Sequence, residues 1–255
     1  MRAGRQEISS SEAVCWSGGE RARRYDREVN RRFYRTALAR LLAGAPNLHG
    51  RGLDLGCGTG FSTEVLVAEQ SGVVWQGVDG SAAMLEIARR KPGLGQIDFR
   101  EARAEALPFA DASFDVVVAS FSWHWFSEGT GLEVRRVLRP HGWLLASVPV
   151  RHLSPARGNR ILARELLTMR HRFVPRTSQG FRIADVPHLL PPPVRVAQHQ
   201  LFVEYERFAD GRELLDVLDS RGALAAIFGA EPPTAIVAPA PVDFEWPFAV
   251  LHAQI

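Results

Sequence analysis

The chain is poor in two residue types that usually signal a protein's surroundings. It has two cysteines, Cys15 and Cys57, and a single lysine, Lys91, in 255 residues. Two cysteines cannot build a disulfide framework, and Cys57 stands between glycines where a bridge is poorly placed, so a reducing, cytoplasmic setting is expected. No stretch of 18 apolar residues occurs, so no membrane-spanning helix and no membrane partner are expected. The N-terminus carries charges without an apolar centre, which does not read as a secretory signal. There is no internal repeat and no basic run interleaved with aromatics, so no nucleic-acid partner is expected. With lysine nearly absent, arginine carries the positive side of a net charge of +3. Arginine suits phosphate and carboxylate recognition, but a codon-biased genome explains the same bias without any function.

Apolar residues are plentiful at 46%, enough to cover both faces of a sheet, and the length is at the upper end for one α/β domain. The most informative segment runs from Gly52 to Gly60. An apolar strand ends in Asp54, and Gly56, Gly58 and Gly60 follow at alternate positions around Cys57. Such glycines allow a sharp turn and let a ligand touch the main chain. Ser62 to Leu66 then opens a helix, whose first N–H groups are available to an anion. Dinucleotide enzymes use similar loops, but the spacing here is G-x-G-x-G rather than G-x-G-x-x-G. A second strand, Val73 to Val78, ends in Asp79, and an acid at such a tip can accept both ribose hydroxyls of a nucleoside. Ser81 is placed to cap the helix that follows.

Strands are predicted near 52–55, 73–78, 97–101, 114–119 and 143–149, with helical stretches between the earlier ones. That alternation demands a parallel sheet with helices on both faces, and places the first strand where the sheet order reverses, the usual ligand crevice. Ahead of it, a helix or helix pair over 20–43 carries Tyr25, Val29, Phe33, Leu38, Leu41 and Leu42 at helical spacing. Residues 1–15 read as a polar, mobile tail. Behind the fifth strand, the pattern predicts a helix over 157–173, a strand over 196–208, a helix over 212–228 that Gly222 can break, and a strand over 242–254. The last two strands lack a long crossover and are expected to be antiparallel. The expected division is a tail and lid helices at 1–50, a ligand-binding core at 51–150, a cap insertion at 151–195, and strands and a helix at 196–255 that complete the same domain.

The Gly52–Gly60 segment resembles motif I of the class I S-adenosylmethionine-dependent methyltransferases. Three further segments resemble that family in the same order: Asp79, Ser81 and Met84 match D-x-S-x-x-M; Ala104 to Phe109 and Ser113 to Val117 look like A-E-x-L-P-F and S-F-D-x-V; and Val137 to Gly142 resembles V-L-K-P-G-G. The resemblance implies an open Rossmann-like sheet, mostly parallel with a C-terminal antiparallel pair, helices on both faces and a small helical cap. It implies S-adenosylmethionine as cofactor, near Asp54, Gly56, Cys57, Gly58, Gly60, Asp79, Gly80, Met84, Arg103, Ala104, Glu105 and Ser120. Arg103 departs from the family, where an aspartate often accepts from the adenine amino group. A guanidinium has donors only, so it either stacks on adenine or faces solvent. No metal is expected.

Methyl transfer from a sulfonium needs alignment and desolvation, and a base only when the acceptor still carries its proton. The fourth-strand loop, Ser120 to Phe126, brings His124, which is either a general base or a packed ring bonded to backbone. Trp123 reads as core. Trp125 and Phe126 either wall the acceptor site or belong to the core. Ala22 to Asp26 is similar to the A-x-x-Y-D stretch of the malonyl-acyl-carrier-protein and trans-aconitate methyltransferases, which gives Tyr25 a place in a lid over the site, against a plain core contact. That group tends to have Q-W where this chain has His124-Trp125. The expected function is methyl transfer to a small molecule, an intermediate of specialised metabolism or an acid on a carrier protein, by a monomer or homodimer. The alternatives are a catalytically silent cofactor-binding partner and a nucleotide-dependent oxidoreductase.

Overall fold

The structure, a computed structural model, describes Trp16 and residues 18–127, 129–150, 155–168, 181–224 and 241–255. The expected tail over 1–15 with Cys15, the end of the 157–173 helix beyond Thr168, and residues 225–228 lie outside the described residues. Among these residues the chain runs through α1 (Gly19–Tyr25), α2 (Glu28–Leu42), β1 (Gly50–Leu55), α3 (Phe61–Glu69), β2 (Val73–Asp79), α4 (Ala82–Arg90), β3 (Asp98–Glu101) and β4 (Phe114–Ser120). It continues through a 3-10 turn at Trp123–Trp125, α5 (Thr130–Val137), β5 (Leu138–Pro149), α6 (Arg157–Thr168), a 3-10 turn at Ile183–His188, β6 (Arg195–Phe208), α7 (Gly211–Ser220) and β7 (Val242–Gln254).

The strands form a sheet in the order β3-β2-β1-β4-β5-β7-β6. β1 pairs in parallel with β2 and β4, and β7 is antiparallel to both β5 and β6. Alternation along each strand sends neighbours to opposite faces. Val116 and Val118 meet Leu38 and Leu41 of α2 on one side, while Val117 packs with Val134 and Val137 of α5 on the other. Phe114 and Phe248 are fully buried. Each such side chain contributes about 1.5–3 kcal/mol relative to exposure. The ladder between β1 and β2 reaches Leu55↔Val78, whereas that between β1 and β4 is recorded only to Asp54↔Val118. A crevice therefore opens at the carboxyl ends of β1, β2 and β4.

One boundary differs from the sequence reading, and one break falls where a glycine marked it. β5 begins at Leu138, which already pairs with Phe114 before the register shifts. The Arg139-Pro140-His141 stretch is not a bare turn, because His141 takes a positive φ of 65° and its N–H donates to the Ile255 carbonyl. α7 ends at Ser220 and Gly222 turns left-handed at φ 75°, packed so closely on Trp16 and Trp125 that any side chain would collide with them.

Gly52 sets a packing limit in β1: a Cβ there would lie 2.5 Å from the Trp75 ring and 2.6 Å from the Val73 side chain. Gly52→Ala is expected to destabilise by about 1–3 kcal/mol, the usual cost of overpacking. Urea titration checks this, and an unchanged midpoint would show that Trp75 yields freely.

Candidate active site

The crevice holds a cavity of about 210 Å³, lined from β1 by Leu55, Gly56 and Gly58, from β2 by Val78, Asp79 and Gly80, and from β4 by Ser120, Phe121 and Ser122. Its acidic centre is built by the loops themselves. The two Asp79 oxygens accept separately, one from the N–H of Gly58 at 2.9 Å and the other from the N–H of Ser81 at 2.8 Å. Burial pushes the Asp79 carboxyl up from the ordinary carboxylate range, and these two N–H groups partly offset the rise. The Ser81 hydroxyl accepts from the Met84 N–H as the expected cap of α4, and donates to the Trp16 carbonyl.

Nine of the residues expected around a cofactor line this cavity: Gly56, Gly58, Asp79, Gly80, Met84, Arg103, Ala104, Glu105 and Ser120. Asp54, Cys57 and Gly60 do not line it. Asp54 is buried beneath the loop and accepts from the hydroxyls of Ser62 and Thr63 at 2.7 Å each. Burial raises its carboxyl to about 6, against the pull of those hydroxyls. Cys57 packs with Leu85, Ala88, Leu94 and Phe99, and burial pushes its thiol well up, so it is inert packing. Gly60 turns left-handed at φ 87° under α4, where a Cβ would lie 2.9 Å from Leu94. Arg103 points largely to solvent and pairs with Glu105 at 3.2 Å. Glu105 also accepts from the Ser127 N–H at 2.7 Å. Burial alone would raise the Glu105 carboxyl, but Ser127 and Arg103 outweigh it and hold it below its ordinary range.

The roof is aromatic. Tyr25 lies edge-on to Trp16 at 5.4 Å and stacks on Phe61 at 5.6 Å; Trp16 meets Trp125 at 5.6 Å. Tyr34 sits 5.4 Å from Tyr25, and burial raises both phenols, so they stay protonated. Phe126 also lines this cavity. A second cavity of about 230 Å³ lies beyond, walled by Phe33, Tyr34, Phe121, Trp125, Phe244 and Trp246, with His124, Asn159, Arg221 and Glu245 among them. Tyr34, Phe121, Trp125 and Arg221 line both cavities. Tyr25, Trp125 and Phe126, expected on the acceptor side, therefore all border the first cavity, and Trp125 borders the second as well. His124 borders only the second. Trp123 is buried core.

The sequence reading missed Trp16, Tyr34, Phe121 and Arg221 as lining residues. Arg221 and Trp16 are far from any motif, and Tyr34 had only its place on a helix to mark it.

Fold and site together define an α/β protein with an open, glycine-floored crevice at the ends of β1, β2 and β4. Residues 53–146 match a family model described as a methyltransferase domain. Over 202 residues the chain is 31% identical to phthiotriol/phenolphthiotriol dimycocerosates methyltransferase 1 of Mycobacterium ulcerans (strain Agy99), covering 71% of this chain and 69% of that one. It is 40% identical over 121 residues to the demethylmenaquinone methyltransferase of Deinococcus radiodurans, covering 46% of this chain and 49% of that one, so it spans about half of that relative. The structure of a candidate methyltransferase from Bacillus halodurans C-125 has the same fold, with 18% identity and a TM-score of 0.61 over 86% of this chain and 98% of that one. The chain belongs to the S-adenosylmethionine-dependent methyltransferases.

Burial lowers His124 from 6.5 to about 3, and its Nδ1 has no hydrogen-bond partner among the described residues. The folded ring thus stays neutral while the unfolded one takes up a proton below 6.5. The unfolded chain binds more protons in that window, so this group makes stability fall as pH drops from 6.5 towards 3. Asp54 acts with the opposite sign between about 6 and 3.8, so the comparison must be between variants. His124→Phe is expected to show a shallower loss of stability on acidification than the parent, read by urea titration across the window. Equal slopes would show that His124 is not held neutral.

Proposed function

We propose that the first cavity holds S-adenosylmethionine and the second receives a small-molecule methyl acceptor. The observation that carries this reading is the shared wall at Tyr34, Phe121, Trp125 and Arg221, which brings two cavities together at the ends of the central strands. The first cavity suits a nucleoside. Its floor is bare backbone at Gly58, where a Cβ would meet nothing nearer than the Tyr25 ring at 3.8 Å, and at Gly80, where the nearest atom is 3.9 Å away. Asp79 keeps accepting capacity on both oxygens beyond its two backbone bonds, the arrangement a vicinal diol needs.

When bound, S-adenosylmethionine supplies a methyl group on a sulfonium for in-line displacement. In this reading Asp79 holds the ribose hydroxyls. Gly56, Gly58 and Gly80 offer main-chain groups, Met84 and Ala104 flank the base, and Ser120 lies by the amino-acid end. Arg103 contributes its backbone while its side chain stays with Glu105. Trp16 and Tyr25 close the roof and exclude water, which strengthens every polar contact beneath them. His124 and Trp125 border the acceptor, and His124 either takes its proton or shapes the wall. An acid on a carrier protein is the second reading for the acceptor, supported by the Ala22–Asp26 segment, whose Tyr25 lines the first cavity.

Isothermal titration with S-adenosylhomocysteine tests the cofactor assignment. Asp79→Ala is expected to keep the fold by circular dichroism and to weaken binding by about 1.5–3 kcal/mol, the range for hydrogen bonds to a charged group. Unchanged affinity would remove Asp79 as the ribose ligand. No saturable binding at millimolar ligand by the folded parent would remove the reading as a whole.

A further inference from the structure

Four groups able to carry charge border the second cavity: Tyr34, His124, Arg221 and Glu245. Three of them are settled within the protein. Arg221, at 2% side-chain exposure, donates through its two terminal nitrogens to the two oxygens of Glu206, a carboxylate that does not itself line the cavity. The positive charge is therefore matched before any ligand arrives. Burial holds the Tyr34 phenol protonated and the His124 ring neutral.

Glu245 is the group left over. It stands on β7 beyond the last pair with β5, Pro149↔Phe248, where Asn159 takes over the free strand edge. The Glu245 N–H donates to Asn159 Oδ1 at 2.8 Å, and Asn159 Nδ2 donates to the Glu245 carbonyl at 2.9 Å. These bonds fix the backbone and leave the carboxylate uncommitted: among the described residues it has no hydrogen bond and no ion pair, although Glu245 is only 5% exposed. Its oxygens are not sealed, in contrast to Nδ1 of His124 and the indole nitrogen of Trp246. A carboxylate in so poorly solvated a place is costly unless a cation meets it.

The walls suit such a cation when it has an apolar body. Arg221 lies over Phe33 and Trp246, while Tyr34, Phe121, Trp125 and Phe244 hold no cation among the described residues, and aromatic faces attract cations. Aliphatic and proline side chains, Val150, Leu162, Leu218 and Pro247 among them, supply the rest of an apolar lining.

We propose that the second cavity selects an organic cation, an ammonium compound with an apolar body, and that Glu245 is the group that recognises its charge. This rests on the placement of the acceptor proposed above. It weighs against an acid on a carrier protein, whose carboxylate would meet Glu245 as a like charge and find Arg221 already paired.

The test compares three probes that share a phenyl ring on a short chain, 2-phenylethylammonium, 2-phenylethanol and phenylacetate. Each is titrated calorimetrically at neutral pH into protein saturated with S-adenosylhomocysteine. The ammonium probe is expected to bind saturably and at least about tenfold more tightly than the alcohol, with phenylacetate weakest, as a close charge pair in a desolvated site requires. Glu245→Gln keeps the size of the side chain and removes its charge. It is expected to bring the ammonium probe down to the level of the alcohol and to change the alcohol little. Its S-adenosylhomocysteine affinity, expected to match the parent's because Glu245 does not line the first cavity, reports that the fold is kept. Should the variant misfold, the three-probe comparison on the parent decides by itself. Equal or tighter binding of the alcohol or of phenylacetate by the parent overturns the proposal, as does an ammonium affinity that Glu245→Gln leaves unchanged. Absence of ammonium binding by protein that binds S-adenosylhomocysteine also overturns it, and leaves the cofactor site standing. Failure of S-adenosylhomocysteine itself to bind overturns both readings.

Discussion

One buried guanidinium joins the pieces on which the site depends. Arg221 follows α7, near the end of the chain, yet it bonds to Glu206 on β6 and to Asn30 and Val29 at the start of α2. Asn30 in turn donates to the Tyr25 carbonyl at 2.8 Å and so fixes the corner between α1 and α2. That corner sets where Tyr25 and Tyr34 stand over the crevice. The rings of Phe33 and Trp246, themselves 5.4 Å apart, both pack against the same guanidinium, so the wall of the second cavity is set by it too. Removing Glu206 would leave the buried Arg221 charge without its partner, a loss that for buried pairs commonly costs about 3–5 kcal/mol.

A second charged cluster holds the other side of the corner. Lys91, the single lysine, is buried, pairs with Asp26 at 2.7 Å, and sits 3.9 Å over the Phe61 ring. Arg31 reaches Glu64 on α3 at 2.9 Å. On the outer face, Arg24 pairs with both Asp216 and Asp219 of α7. The roof is thus tied down by ion pairs while the floor is made of strand ends and bare glycine backbone.

The sheet was legible because its causes are local. Period-2 apolar runs such as Phe114–Ala119, the acids ending β1 and β2, and the glycines after β1 all act within a few residues. Each of the five predicted early strands is present, as are the helix pair at the N-terminus and the late antiparallel strands. Boundaries were less legible where a distant backbone supplied the partner. β5 starts early because Phe114 pairs with Leu138, a cause not visible in the local spacing, whereas the break after α7 falls at Gly222, the residue that marked it in the sequence.

The floor of the site was read residue by residue from its motifs, and nine of twelve expected positions line the cavity. Asp54, Cys57 and Gly60 do not line it: Asp54 is buried under the loop by the Ser62 and Thr63 hydroxyls, Cys57 packs with Leu85 and Phe99, and Gly60 turns against Leu94. The sequence alone determined the succession of strands, the glycine turn after β1 and the acid ending β2, since those depend on spacing and on backbone geometry, and its ordered motifs carried the resemblance that gave the cofactor class. Only the tertiary structure decided which aromatic residues meet as roof and wall, and that Arg221 lies between them with its charge already satisfied. Many of those contacts, such as Trp16 with Trp125 and Phe33 with Arg221 and Trp246, join residues more than a hundred positions apart, and no local pattern records which side chains will meet across that distance.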